Sequence, residues 1–246
     1  MKRIELLGVQ MDAYTMRETV DLIDSYIANN QFTQHVVINV AKLVQMQTDQ
    51  GLRSSIEACD IINIDGMGVV WGARLLGQNV PERVAGVDLF HELLSLSANK
   101  GYPVFLLGAE PEVVETTVQK ISKQLPKLKV AGYHHGFFWE DEDSVVQKIK
   151  ESGAKLLFVA ITSPKKENFI NQWQDQLGVD FVMGVGGTFD VVASKVNRAP
   201  KWMQESGMEW LYRVIQEPRR MWKRYLVTNS RFLWLLIKAK LTSNRE

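Results

Sequence analysis

The first 194 residues of this 246-residue chain predict an α/β domain, a mostly parallel sheet with helices on both faces, and residues 195–246 predict a basic helical appendage. Three observations carry that expectation. Short β-branched runs alternate with longer amphipathic segments, which is the pattern of βα units. The strand runs are apolar on both faces, as parallel strands covered from two sides must be. Charge also divides the chain: residues 1–194 carry a net −7, whereas 195–246 carry +8 and four of the seven tryptophans (Trp202, Trp210, Trp222 and Trp234).

Taken in order, the predicted strands are HVVIN (35–39), DIINI (60–64), PVFLLG (103–108), LKVAGY (128–133), KLLFVAI (155–161) and DFVMGV (180–185). The predicted helices are 15–30, a broken stretch across 41–58, then 68–76, 87–100, 111–125, 141–152 and 164–177. Pro200 opens the appendage and Pro218 divides it into two helices, because proline fits a first turn but breaks an interior. At 100° per residue, Arg220, Arg224, Arg231 and Lys238 share one side of the second helix. Trp222, Tyr225, Phe232, Leu233 and Leu236 cover the opposite side, the division expected of a helix lying in a membrane interface. A terminal helix docked on its own domain has the same amphipathicity, so both readings stand.

A hydrophobic content of 46% with 23% charged residues is that of a globular chain. The start, MKRIELLGVQMD, is interrupted by Glu5 and Gln10 before an apolar run reaches signal-peptide length. The run FLWLLI (232–237) is far short of the roughly 20 residues that cross a bilayer. These features predict a cytoplasmic protein, attached to the membrane from its inner face if at all. The one cysteine, Cys59, excludes an internal disulfide, and with four scattered histidines it argues against structural zinc.

In an open parallel sheet, ligands bind beyond the carboxyl ends of the strands. Asn39, Asp65, Gly108, the stretch Thr162–Lys166 and the stretch Gly186–Asp190 all fall there. Asp65 closes an apolar run and is followed by Gly66-Met67-Gly68, so it reads either as a helix cap or as a general base aimed into a cleft. The glycines of GVGG (184–187) suit close backbone approach to a diphosphate. They do not make a dinucleotide fingerprint, because Phe189 stands where G-x-G-x-x-G requires glycine, and no G-x-x-x-x-G-K-[ST] loop exists. Asp141 and Asp143 have the D-x-D spacing of a divalent-cation site, yet acids at a helix start explain them equally.

The stretches DGMGVVWGARLLGQNVPERVAGVDLF, TSPKKENFI, GVGGTFD and EWLYRVIQEPRR resemble the WecG/TagA/CpsF family of N-acetylmannosaminyltransferase-like glycosyltransferases, glycosyltransferase family 26, across about residues 3 to 236. The resemblance implies a Rossmann-like sandwich of the family's own type and an inverting enzyme. It would move a sugar from a UDP-sugar to a polyprenyl-diphosphate-linked sugar during synthesis of teichoic acid linkages, capsule or exopolysaccharide, without a metal or other cofactor. Residue by residue it implies Asp65 as general base and Asn39, Arg83, Lys166, Gly108, Gly186, Gly187 and Asp190 as substrate-binding. Arg213, Arg220 and Arg224 are implied to meet the lipid diphosphate. The family often has threonine near Val37, and Lys166 stands where it usually has glutamine, which exchanges a neutral donor–acceptor for a point charge. The donor sugar stays open. The rival reading, a non-enzymatic phosphate- or nucleic-acid-binding protein that grips with its basic aromatic tail, is disfavoured by cations confined to one helix face.

Overall fold

The computed structural model describes residues 3–243. β1 (Arg3–Leu6) and β2 (Val9–Asp12) form an antiparallel hairpin, followed by α1 (Met16–Ala28), β3 (Thr33–Ile38), α2 (Val40–Gln45), α3 (Gln50–Glu57) and β4 (Ile61–Ile64). Then come α4 (Met67–Leu75), α5 (Gly86–Lys100), β5 (Val104–Gly108), α6 (Pro111–Gln124), β6 (Val130–His134), α7 (Glu142–Glu151), β7 (Leu156–Ala160) and α8 (Lys165–Trp173). The chain ends with β8 (Phe181–Gly184), α9 (Thr188–Val192), α10 (Lys201–Glu205), α11 (Glu209–Gln216) and α12 (Pro218–Ser243). The strands form one sheet in the order β1-β2-β4-β3-β8-β7-β5-β6, parallel everywhere except between β1 and β2.

Alternation along each strand sends side chains to two cores. Ile61, Leu106, Phe158 and Met183 meet α1, α5, α6 and α9 on one face. On the other, Val36, Ile38, Ile62 and Ile64 meet α2, α3, α4 and α12, while Leu107, Val159 and Val182 meet α7 and α8. The three layers are those expected, and all six predicted strands and seven predicted helical segments appear. The broken stretch resolves into α2 and α3, capped by the Asn39 and Asp49 side chains, which accept from the backbone N–H groups of Lys42 and Leu52.

Three features were not anticipated, one of them the short helix α9 just after β8. The hairpin escapes a search for continuous apolar runs because its residues alternate exposed and buried, as edge strands do. Its two-residue turn uses Leu7 and Gly8, both at positive φ. The appendage holds three helices rather than two, because Gly207, at φ 72°, takes the left-handed conformation that separates α10 from α11.

The end of the sheet that matters is where β3 and β4 stop. Gly66, at φ 99°, lets the chain turn from β4 into α4 in one step. Further along α4, Gly72 lies under α12: a Cβ there would come within 2.7 Å of Phe232 Cζ and 3.2 Å of the Leu236 methyls. Phe232 and Leu236 are buried in the core of the α/β body. The apolar side read from the sequence of α12 therefore divides. One strip, with Met221, Phe232 and Leu236, packs inward, while Trp222, Leu226, Leu233 and Ile237 remain exposed.

The seam at Gly72 makes a specific demand. Gly72→Val is expected to push α12 off the body, lowering Tm by about 2–10 °C and speeding protease cleavage in the 193–200 connection. Wild-type protease resistance in the variant would show that the seam absorbs the added methyls.

Candidate active site

α4, α11 and α12 close over the carboxyl ends of β3 and β4 and leave a cavity of about 550 Å³, within the range of small-molecule sites. Asp65 stands at its inner end. Its backbone N–H donates to Ile38 O at 2.8 Å, which extends the ladder of β3 and β4 by one rung. Its carboxylate accepts the backbone N–H of Gly86, the first residue of α5, so a helix N-terminus faces the acid. The surrounding protein excludes water more strongly than these groups compensate, and the Asp65 pKa is raised from its ordinary 3.8. Desolvation is the largest cause; Arg83 pulls the value back down and Glu209 pushes it up.

The segment after α4 runs back beside β4, with Val84 N–H donating to Ile64 O at 2.9 Å, and this holds Arg83 at the cavity wall. Glu209, from α11, bridges two arginines: Oε2 lies 3.2 Å from Arg83 Nη1 and Oε1 lies 3.3 Å from Arg213 Nη2. A carboxylate thus stands between two guanidinium groups in the manner of a phosphate held by paired arginines. Arg198 completes the wall. It makes a two-pronged ion pair with Asp88, Nη2 to Oδ2 at 2.7 Å, which holds the Asp88 pKa below its usual value. Among the described residues its buried Nε has no partner.

Of the residues singled out in the sequence, Asn39, Asp65, Arg83, Arg213 and Arg224 line this one cavity. Asn39 is also the cap of α2, so its Oδ1 serves the fold. Val37 packs beneath Gly86. The side chain of Arg220 lies outside the described residues. Gly108 ends β5, and Gly186, Gly187 and Asp190 follow β8 at the same carboxyl end of the sheet, but none of them lines the cavity. Lys166 does not line it either. It is buried with its Nζ 2.8 Å from Glu167 Oε1, and Lys42 Nζ approaches the same oxygen at 3.1 Å. Burial and the Lys42 charge push the Lys166 ammonium down to about 8, while the two lysines, overcoming burial, hold Glu167 down at about 2. Asp141 and Asp143 begin α7, away from the lining, and no cluster of three potential metal ligands occurs among the described residues.

Arg198 and Glu209 escaped the reading of the sequence. For Glu209 a signal existed, since it is one of four acids in a segment of twelve cations. Arg198 is one arginine in an irregular connection, and only the fold pairs it with Asp88.

A three-layer α/β domain here carries a strand-end carboxylate that faces a cleft walled by arginines, so a group able to take a proton and fixed cations able to meet an anion share one cavity. The chain belongs to the Glycosyl transferase WecG/TagA/CpsF family, which it matches over residues 4–246. It is similar to the N-acetylglucosaminyldiphosphoundecaprenol N-acetyl-beta-D-mannosaminyltransferase of Bacillus subtilis (strain 168), with 40% identity over 162 residues. That match spans 66% of this chain and 62% of the relative's length.

The raised Asp65 pKa has a consequence for stability. The folded state holds this proton more tightly than the unfolded chain, so stability is lost as pH rises from 3.8 through the folded value and the cost persists above it. Asp65→Asn, which mimics the protonated form, is expected to raise Tm by a few degrees at pH 7 and to leave it unchanged near pH 3. Melting curves at both pH values check the sign.

Proposed function

We propose that the protein is an inverting glycosyltransferase that moves a sugar from a UDP-sugar to a polyprenyl-diphosphate-linked sugar in bacterial cell-surface polymer synthesis. The observation that carries this reading is the desolvated Asp65 carboxylate at the inner end of a cavity whose walls hold Arg83, Arg198, Arg213 and Arg224. A carboxylate with a raised pKa suits a general base, since proton transfer is most effective when the catalytic pKa approaches the operating pH. Asp65 takes the proton from the acceptor hydroxyl as the oxygen attacks the anomeric carbon from the face opposite the departing UDP. The configuration at that carbon inverts.

Departure of the nucleotide builds negative charge on a diphosphate, and fixed cations aimed at that charge lower the barrier. Arg83 serves this role in the cavity, and the nucleotide extends out of it along the strand ends toward Gly186, Gly187, Gly108 and Asp190. Arg213 and Arg224 meet the acceptor's own diphosphate. Glu209 holds Arg83 and Arg213 until a phosphate replaces its carboxylate. No step in this scheme requires a metal ion, because arginines meet both diphosphates. The relative's name gives an N-acetyl-β-D-mannosaminyl group as what is transferred and N-acetylglucosaminyl-diphosphoundecaprenol as what receives it; the same donor and acceptor classes are assigned here.

The polymer partner sits in a membrane, and α12 fits an interfacial position. Trp222, Leu226 and Ile237 expose an apolar stripe, and Arg224, Arg231 and Lys238 lie on the opposite side of the helix. Among the described residues, no helix is long and apolar enough to cross a bilayer. Each cation near an anionic surface adds on the order of 1 kcal/mol, so the appendage would bind the inner face of the membrane while its other side closes the cavity.

The decisive experiment offers a panel of UDP-sugars with a polyprenyl-diphosphate-GlcNAc acceptor and determines the anomeric configuration of the product by NMR. Asp65→Asn is expected to lower kcat by at least a thousandfold while UDP-sugar binding, read by calorimetry, stays within about threefold. Near-normal turnover in that variant refutes the base. Truncation after Pro200 is expected to abolish binding to anionic vesicles and activity on a long-chain acceptor together; vesicle binding that survives truncation refutes the membrane role of the appendage.

A further inference from the structure

The cavity changes character along its length. On α12 its wall passes from Arg224 through Thr228 and Asn229 to Phe232, Leu233 and Leu236, a distance of about 18 Å at 1.5 Å per residue. On α4 it passes from the Asp65 end to Trp71 and Leu75. Gly72 touches Phe232 and Leu236, so the two gradients run the same way and their apolar ends coincide.

We infer that this apolar end seats the first isoprene units of the lipid acceptor, so that the enzyme grips the chain as well as its diphosphate head; the inference rests on the acceptor class assigned above. A linear amphiphile with an anionic head is what the double gradient matches. Its phosphates fall among Arg213 and Arg224, and its chain runs toward Leu75 and Leu233. A sugar or a nucleoside does not match, because Leu75, Leu233 and Leu236 offer its hydroxyl and ring polar atoms no hydrogen-bond partner, whereas an isoprene chain removes its own apolar surface from water against them. Nor is the apolar end consumed by core packing. Trp71 is 50% exposed, Leu75 48% and Leu233 56%, though each lines the cavity. The exposed Trp222 lies outside that lining and is free to meet the bilayer instead.

The test uses acceptors that share one diphosphate-GlcNAc head and carry one, two or three isoprene units, below their micelle concentrations and without detergent or vesicles. For the full-length wild-type enzyme, kcat/KM is expected to climb on the order of tenfold for each unit that enters the seat. The readout is the three-unit to one-unit ratio within each protein, which cancels a general loss of activity. Leu75→Gln and Leu233→Gln are expected to reduce that ratio at least tenfold. Trp222→Gln is expected to keep the wild-type ratio. Thermal melts confirm that each variant folds.

A flat chain-length series in an active wild-type enzyme overturns the seat and leaves the proposed function standing. Chain-length dependence that appears only when vesicles are added also overturns it, since the apolar residues then serve the bilayer. An equal loss of ratio in Trp222→Gln does the same. If the wild-type enzyme turns over none of the three acceptors with any UDP-sugar, the acceptor assignment fails and the seat fails with it.

Discussion

The rest of this structure depends on the contact between Gly72 of α4 and Phe232 and Leu236 of α12. Without it, Asp65 would be a carboxylate at the open end of a parallel sheet, solvated and ordinary. With it, a helix remote in sequence forms a wall, α11 is carried into place beside it, and Arg213 and Arg224 come to share a cavity with Arg83. Dispersion and apolar burial along one helix seam thus set the electrostatics of the site. The absence of a single Cβ permits the approach.

Charge in the cavity is arranged in opposition. Arg83 and Arg213 share Glu209, Arg198 is tied to Asp88, and Asp65 faces the N-terminus of α5. Guanidinium groups held by carboxylates keep their positions when no substrate is present, so less order has to be created on binding. Asp65 is set apart because its largest influence is loss of water rather than a partner, and this is the condition that brings a carboxyl pKa toward the range of a base. The second concentration of charge, Lys42 with Glu167 and Lys166, is buried away from the lining and joins α2 to α8. Two cations around one anion make a costly arrangement to bury.

The legibility of the sequence followed the range of the interactions. Parallel strands such as LLFVA (156–160) and VFLLG (104–108) were visible because burial on both faces leaves a continuous apolar run. The hairpin of β1 and β2 was not, since one exposed face breaks the run. At the site, Asn39, Asp65 and Arg83 were legible from strand ends and from the family motifs that carry them. Their neighbours Arg198 and Glu209 were not, because each owes its place to a partner more than a hundred residues away.

Local rules therefore determined the fold class, the chain order of the six strands from β3 to β8 with the helices between them, and the change from acidic body to basic tail, since helix period, strand alternation and charge are properties of contiguous residues. Tertiary packing decided which of the strand-end residues share a cavity, that α12 gives one strip of its apolar side to the core and leaves another exposed, and that Asp65 is desolvated. Those outcomes depend on where a distant helix comes to rest, and a seam closed by a missing Cβ carries no periodicity for a sequence to display.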